Sequence, residues 1–105
     1  MQQRDYIERM IQQIAVFIAA ALGKVARGEL AEAQRDLDVA WSQLGLRLRD
    51  VLLLDDATVR AMLGPKAELA ARLAVAQAIV EEARGATAQA ATLRTRAAIW
   101  REGTT

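Results

Sequence analysis

Histidine, cysteine and asparagine are missing from this 105-residue chain, and proline and serine each occur once. Without cysteine there is no disulfide, no thiolate nucleophile and no dithiol chemistry. Without histidine the commonest general base and metal ligand are gone, and with neither residue the usual zinc sites cannot be assembled. Ser42 has no histidine to activate it. The six glycines stand singly, as Gly23, Gly28, Gly45, Gly64, Gly85 and Gly103, so no loop of this chain cradles a phosphate. Charge is balanced at +1, from 14 Lys+Arg against 13 Asp+Glu, which leaves no basic face for a nucleic acid. Aromatics are reduced to Tyr6, Phe17, Trp41 and Trp100.

What remains is an alphabet for helices. Alanine, the best helix former, supplies 23 residues, and Leu, Arg, Glu and Gln make up much of the rest. Strand-favouring residues are few and scattered, so the chain reads as all-α, a single domain over 1–105. Arginine outnumbers lysine 12 to 2, a bias that reads as the codon usage of a GC-rich bacterium. The uncharged stretch Met10–Gly23 is shorter than the roughly 18–20 residues of a bilayer span. Asp5 and Glu8 cancel Arg4 and Arg9 where a signal peptide needs net positive charge. The expectation is a cytoplasmic protein with no membrane partner.

Apolar spacing and glycine punctuation set out about five helices in antiparallel hairpins. The first runs from about Arg4 to Ala26, its seam Ile7, Ile11, Ile14, Ile18, Ala21 and Val25 broadened by Tyr6, Met10, Phe17 and Leu22. Gly28 ends it in a left-handed cap. The second covers about Glu29–Leu44, with Leu30, Ala33, Leu37, Ala40, Trp41 and Leu44 on one face. Between Leu46 and Leu54, arginines and Asp50 interrupt a dense apolar run, and an irregular, partly buried connection is expected. Asp55 is placed to cap a short helix over Asp56–Leu63, with Val59, Met62 and Leu63 inward. Gly64-Pro65 stops that helix and starts the next, about Lys66–Arg84, carrying Leu69, Leu73, Ala76, Val80 and Ala83. After Gly85 the last helix spans about Thr87–Arg101, with Ala90, Leu93, Ala97 and Trp100, and Gly103-Thr104-Thr105 reads as a frayed tail.

The carboxylate clusters offer little catalysis. Asp36/Asp38 and Glu81/Glu82 lie one or two apart on helices and do not share a face, and Asp55 reads as a cap. The groups Arg47/Arg49 and Arg94/Arg96/Arg101 read as solvated faces and partners of helix dipoles. No catalytic residue, metal ligand or cofactor site is expected.

The two glycine-centred hairpins echo each other. Ala26-Arg27-Gly28-Glu29-Leu30-Ala31-Glu32-Ala33 and Ala83-Arg84-Gly85-Ala86-Thr87-Ala88-Gln89-Ala90 share Ala-Arg-Gly-x-x-Ala-x-Ala, and small residues recur at Ala40 and Ala97. This resembles the tetratricopeptide repeat, a helix–turn–helix with Gly at the turn and alanines where its helices cross. Gly28, Leu30, Ala33, Leu37 and Ala40 match the turn and second helix, and Phe17 and Ala21 match the first. Arg94 stands where the second unit would carry a large apolar residue, and Gly28 and Gly85 lie farther apart than the about 34 residues of a tandem repeat. The opening Arg4-Asp5-Tyr6-Ile7-Glu8-Arg9-Met10-Ile11-Gln12-Gln13-Ile14 is similar to that of a family of short, uncharacterised bacterial tetratricopeptide-repeat-like proteins.

That resemblance implies a fold and no activity. In the repeat's register the concave, ligand-facing positions fall on Ala15, Ile18, Leu22 and Val25, apolar here, so a helix should cover them, from within the chain or from a partner. The expected function is a non-catalytic protein–protein interaction module, self-associating as a homodimer through the first helix, with Ile7, Ile11, Ile14, Ile18, Leu22 and Val25 as partner-binding residues. The alternative is a small-ligand or lipid-binding helical bundle, its pocket among Phe17, Leu37, Trp41 and Leu73.

Overall fold

A computed structural model describes residues 2–102, with side chains from Asp5 onward; the expected tail Gly103-Thr104-Thr105 lies outside them. Helix α1 runs unbroken over Gln2–Ala26 and α2 over Leu30–Gln43. Two short helices follow, α3 at Leu48–Leu53 and α4 at Asp56–Leu63, then a 3₁₀ turn at Gly64–Lys66. The long helices α5, Ala67–Ala83, and α6, Thr87–Glu102, complete an all-α chain in which the five expected helices are all present.

Glycine sets the two long hairpins, and it does so identically. Gly28 has φ 77° and Gly85 has φ 88°, a region that costs any residue with a Cβ. At the first turn the Gly28 N–H donates to Val25 O (3.0 Å) and the Glu29 N–H to Lys24 O (2.9 Å). At the second, Gly85 N–H donates to Glu82 O (2.9 Å) and Ala86 N–H to Glu81 O (2.8 Å). Both are Schellman motifs, in which two late helix carbonyls find donors just beyond the helix end. The echo seen in the sequence is therefore a shared turn geometry.

Helix α5 is the centre of the molecule, packing against α1, α2, α4 and α6. Its buried residues go nearly all round, from Ala67, Leu69 and Ala70 to Ala78 and Val80, as expected of a helix enclosed on most sides. Buried alanines at 70, 71, 74, 76 and 78 hold the neighbouring helices close. Ile14, Leu37, Trp41, Leu73, Leu93 and Trp100 fill the spaces around them, all at 1% exposure or less. Beside Tyr6 and Ile11 of the α1 stripe, which are exposed, three details depart from the sequence reading. Ala83 is exposed, because it lies on the last turn beyond the reach of α1 and α2, and Met62 points outward while Val59 and Leu63 are buried. The third is α3.

The segment expected to be irregular folds as a helix because a distant side chain finishes its end. Val51 is buried and Leu48 and Leu52, four apart, rest on the core, while Leu53 is 84% exposed. Arg96 of α6 donates from Nη1 to Val51 O (2.7 Å) and from Nη2 to Leu54 O, supplying donors to carbonyls that a helix terminus leaves open. Its Nε donates to Asp56 Oδ1 (2.7 Å) in the first turn of α4, and the Trp100 Nε1–H donates to the same oxygen (2.9 Å). Asp55 does occupy the N-cap position of α4, with extended backbone, but its side chain makes no cap hydrogen bond. The neighbouring carboxylate, Asp56, carries the contacts instead.

Candidate functional site

The carboxylates of the clusters end up apart, most with a partner of their own. Asp36 pairs with Lys24 (2.7 Å) across the α1–α2 hairpin, and Asp38 accepts from Gln34 Nε2 (2.8 Å). Asp56 is held by Arg96 and Trp100, whereas Asp55 is exposed. Glu82 lies on the surface and receives a hydrogen bond from Arg94, whose guanidinium holds the Glu82 carboxyl below the ordinary glutamate range. Among the described residues no three acidic side chains converge as a metal site would need. Arg94 thus fills the apolar position of the second hairpin with an α5–α6 ion pair.

The proposed partner stripe of α1 lies between the core and the surface. Ile14 is fully buried, and Ile18 and Val25 pack on the core; Ile7 and Leu22 are half-buried and Ile11 is exposed. Helices α2 and α5 supply that cover from within the chain. The outward side of the same helix carries Gln12, Ala15, Val16, Ala19 and Ala20, with Val16 at 66% and Tyr6, farther up, at 58% exposure. No charge interrupts it between Met10 and Gly23. As a continuous helix, Asp5–Ala26 is long and apolar enough to cross a membrane by length and composition, and 17% of its most apolar window is buried in the fold. Beside its first turns, a pocket of about 320 Å³ is lined by Tyr6, Arg9, Met10, Gln13 and Gln43. Gln43 Oε1 is enclosed with no donor among the described residues.

A second feature lies where α2 crosses the C-terminal half of α5. Gln77 and Glu81, four apart on α5, are buried. The Trp41 Nε1–H donates to Gln77 Oε1 (3.2 Å), and Gln77 Nε2 donates to Gln34 Oε1 (2.6 Å) and to Glu81 Oε1 (3.0 Å). Arg84 reaches over the network, donating to Gln34 Oε1 (3.1 Å) and lying 3.6 Å from Glu81 Oε1. This network borders a groove of about 730 Å³ whose other wall is the segment Leu46–Arg49. The volume lies within the range typical of small-molecule sites. Of the four residues expected to line a ligand pocket, Leu37 and Leu73 have no exposed surface, Phe17 packs on the core, and Trp41 alone reaches this groove.

Sequence reasoning named Trp41 as core and Arg47/Arg49 as a solvated pair, but it had no means of joining them to Gln77 and Glu81. The one available signal was the i, i+4 spacing of Gln77 and Glu81 on the apolar side of a helix whose other polar residues are Glu68, Arg72 and Glu82. No protein-family model matches the chain, and neither a curated protein nor a solved structure resembles it closely enough to align.

Proposed function

We propose that the chain is a non-catalytic, tetratricopeptide-like interaction module that self-associates through the outer side of α1. The observation that carries this reading is the uncharged, solvent-facing strip of Ala15, Val16, Ala19 and Ala20 on a 25-residue helix. Its small residues let a second helix approach closely, and burying Val16 and Ile11 removes apolar surface from water. A second copy suits this strip better than a bilayer. The other side of α1 carries Met10, Ile14 and Ala21 of the core, so inserting the helix would strip α2 and α5 of their cover. Interfacial helices are also rich in Lys and Arg on their polar face, whereas α1 between Asp5 and Ala26 offers Arg9 and a Lys24 already paired with Asp36.

The footprint sets the strength. A helix of this length is roughly 38 Å long and about 10 Å wide, giving about 400 Å² per protomer, half the roughly 800 Å² of a standard interface. Association is therefore weak and concentration-dependent. Sedimentation equilibrium from low to high micromolar concentration is expected to show mass rising from 11.5 kDa towards twice that value. Val16→Glu, at an exposed site, should keep the chain monomeric with unchanged helicity. A wild-type chain that stays monomeric throughout, or that floats with lipid vesicles while remaining monomeric, would overturn the reading.

A further inference from the structure

The crossing of α2 over α5 carries polar groups that packing does not require. Gln77 has no exposed surface and Glu81 is 4% exposed, yet leucine or methionine would fill about the same volumes in this apolar interface. Burying a carboxylate costs several kcal/mol unless it is well paired. The pairing of Glu81 is incomplete: its hydrogen bond from Gln77 and its 3.6 Å ion pair with Arg84 both engage Oε1, and Arg84 is itself 40% exposed. Glu81 and Arg84 border the 730 Å³ groove, and Gln77 lies behind Glu81. A buried polar floor under an open groove of ligand-site volume is the arrangement of a binding site, with a few fixed polar groups set among apolar walls.

The opposite wall names the ligand's charge. Arg47 and Arg49 line the groove, are exposed and take part in no ion pair among the described residues. They flank the half-buried Leu48, and beneath it the edges of Leu46 and the Trp41 indole, both almost wholly buried, close the groove. Asp38 accepts from the neutral Gln34 amide and keeps its charge, and Glu81 and Arg84 offset each other, so the lining carries a net charge of +1 with Arg47 and Arg49 as its unpaired cations. A guanidinium presents a planar fork of donors that fits a carboxylate, and such charge-assisted pairs are the stronger hydrogen bonds.

We infer that this groove is a binding site for a small organic anion, a carboxylate on an apolar or aromatic body. The carboxylate sits between Arg47 and Arg49, the body lies on Leu48 over the edges of Leu46 and Trp41, and Glu81 stands at the floor to accept a hydrogen bond from a donor on the ligand. None of the groove's lining residues belongs to α1, so the inference stands apart from self-association.

The two tryptophans provide an internal control. Trp41 Nε1–H belongs to the groove's network, whereas Trp100 Nε1–H is bonded to Asp56 and its ring is fully buried. The full-length ¹⁵N-labelled protein is titrated with 3-phenylpropionate and, separately, with its uncharged amide. The carboxylate is expected to move the Trp41 indole resonance to saturation and to leave that of Trp100 in place. The amide should bind at least about tenfold more weakly, the worth of one charge-assisted contact. The double variant Arg47→Gln/Arg49→Gln, at two exposed positions, should lose affinity for the carboxylate to a similar degree. A Trp41 resonance unmoved at millimolar carboxylate, equal binding of acid and amide, or undiminished binding by the double variant would each overturn the assignment. The acid–amide comparison uses the wild-type chain, so the proposal stays testable whatever the variant's stability.

Discussion

Replacing Arg96 with alanine is expected to release α3 and α4 while the long hairpins stay folded. The side chain is 12% exposed and joins four things: the carbonyls of Val51 and Leu54, the Asp56 carboxylate, and the face of the Trp100 ring, 5.5 Å from its centroid. Hydrogen bonds from a charged donor contribute about 1.5–3 kcal/mol each, and stacking on the indole adds roughly 0.5–1 kcal/mol. Three bonds at the low end plus stacking give about 5 kcal/mol. Asp56 keeps the Trp100 Nε1–H, and Leu54, half-buried, can pass its carbonyl to water, so about 3 kcal/mol is the working value. The loss falls locally, because helices of six and eight residues are well below the ~12–15 at which a helix stands alone. Hydrogen exchange followed residue by residue should show about 100-fold less protection across Leu48–Leu63, with α1, α2 and α5 close to wild type. Arg96→Lys should recover a minor part, since an ammonium keeps the charge and loses the fork. Unchanged protection in α3 and α4, or an equal loss in every helix, would refute the reasoning.

Two glycines should respond with opposite sign. Gly28→Ala places a Cβ at φ 77° with nothing within 4 Å of it, so its cost is purely conformational, about 1–2 kcal/mol, read as a lower Tm. Gly23→Ala, inside α1, meets only Arg27 Nη1 at 3.7 Å and should stabilise the helix by about 0.5–1 kcal/mol. The Glu82 carboxyl, held low first by the hydrogen bond from Arg94, should titrate below the exposed glutamates in a carboxyl-detected NMR experiment. Its folded pKa lies below its unfolded value, so its contribution to stability is present above the unfolded pKa and is lost as pH falls through the folded one. Arg94→Gln should return Glu82 to the ordinary range; a midpoint unmoved by that substitution would remove the explanation.

What could be read from the sequence was whatever neighbours in the chain decide. Gly28 and Gly85 end their helices by local backbone geometry, and α4 begins and ends at the residues expected because Asp55 and Gly64-Pro65 bracket it. The α1 seam placed Met10, Ile14 and Ala21 correctly against the interior, since 3.6-residue periodicity is a property of one helix. What could not be read depends on contacts between distant segments. Arg96 completes α3 from the far end of the chain, and no pattern within Leu46–Leu54 contains that donor. Glu81 and Glu82 are indistinguishable by composition; one is buried and the other exposed because α2 and Gln34 happen to lie over the first. The groove was invisible for the same reason, being assembled from α2, the Leu46–Arg49 segment and the α5–α6 turn.

Arg96 sets the second hairpin apart from the first. In the first hairpin, α1 and α2 meet through apolar residues and one ion pair, Lys24–Asp36, because nothing but the central helix needs to be held beside them. The second hairpin must also anchor α3 and α4, which are too short to hold themselves. Helix α6 therefore carries Arg96, which turns through the gap between α3 and α4 with Trp100 beneath it, while Arg94 closes separately onto Glu82 of α5. An apolar residue at position 96 would pack against Trp100 equally well but would leave Val51 O, Leu54 O and Asp56 without that donor. Arg96 thus secures the two short helices that lie between the glycine turns.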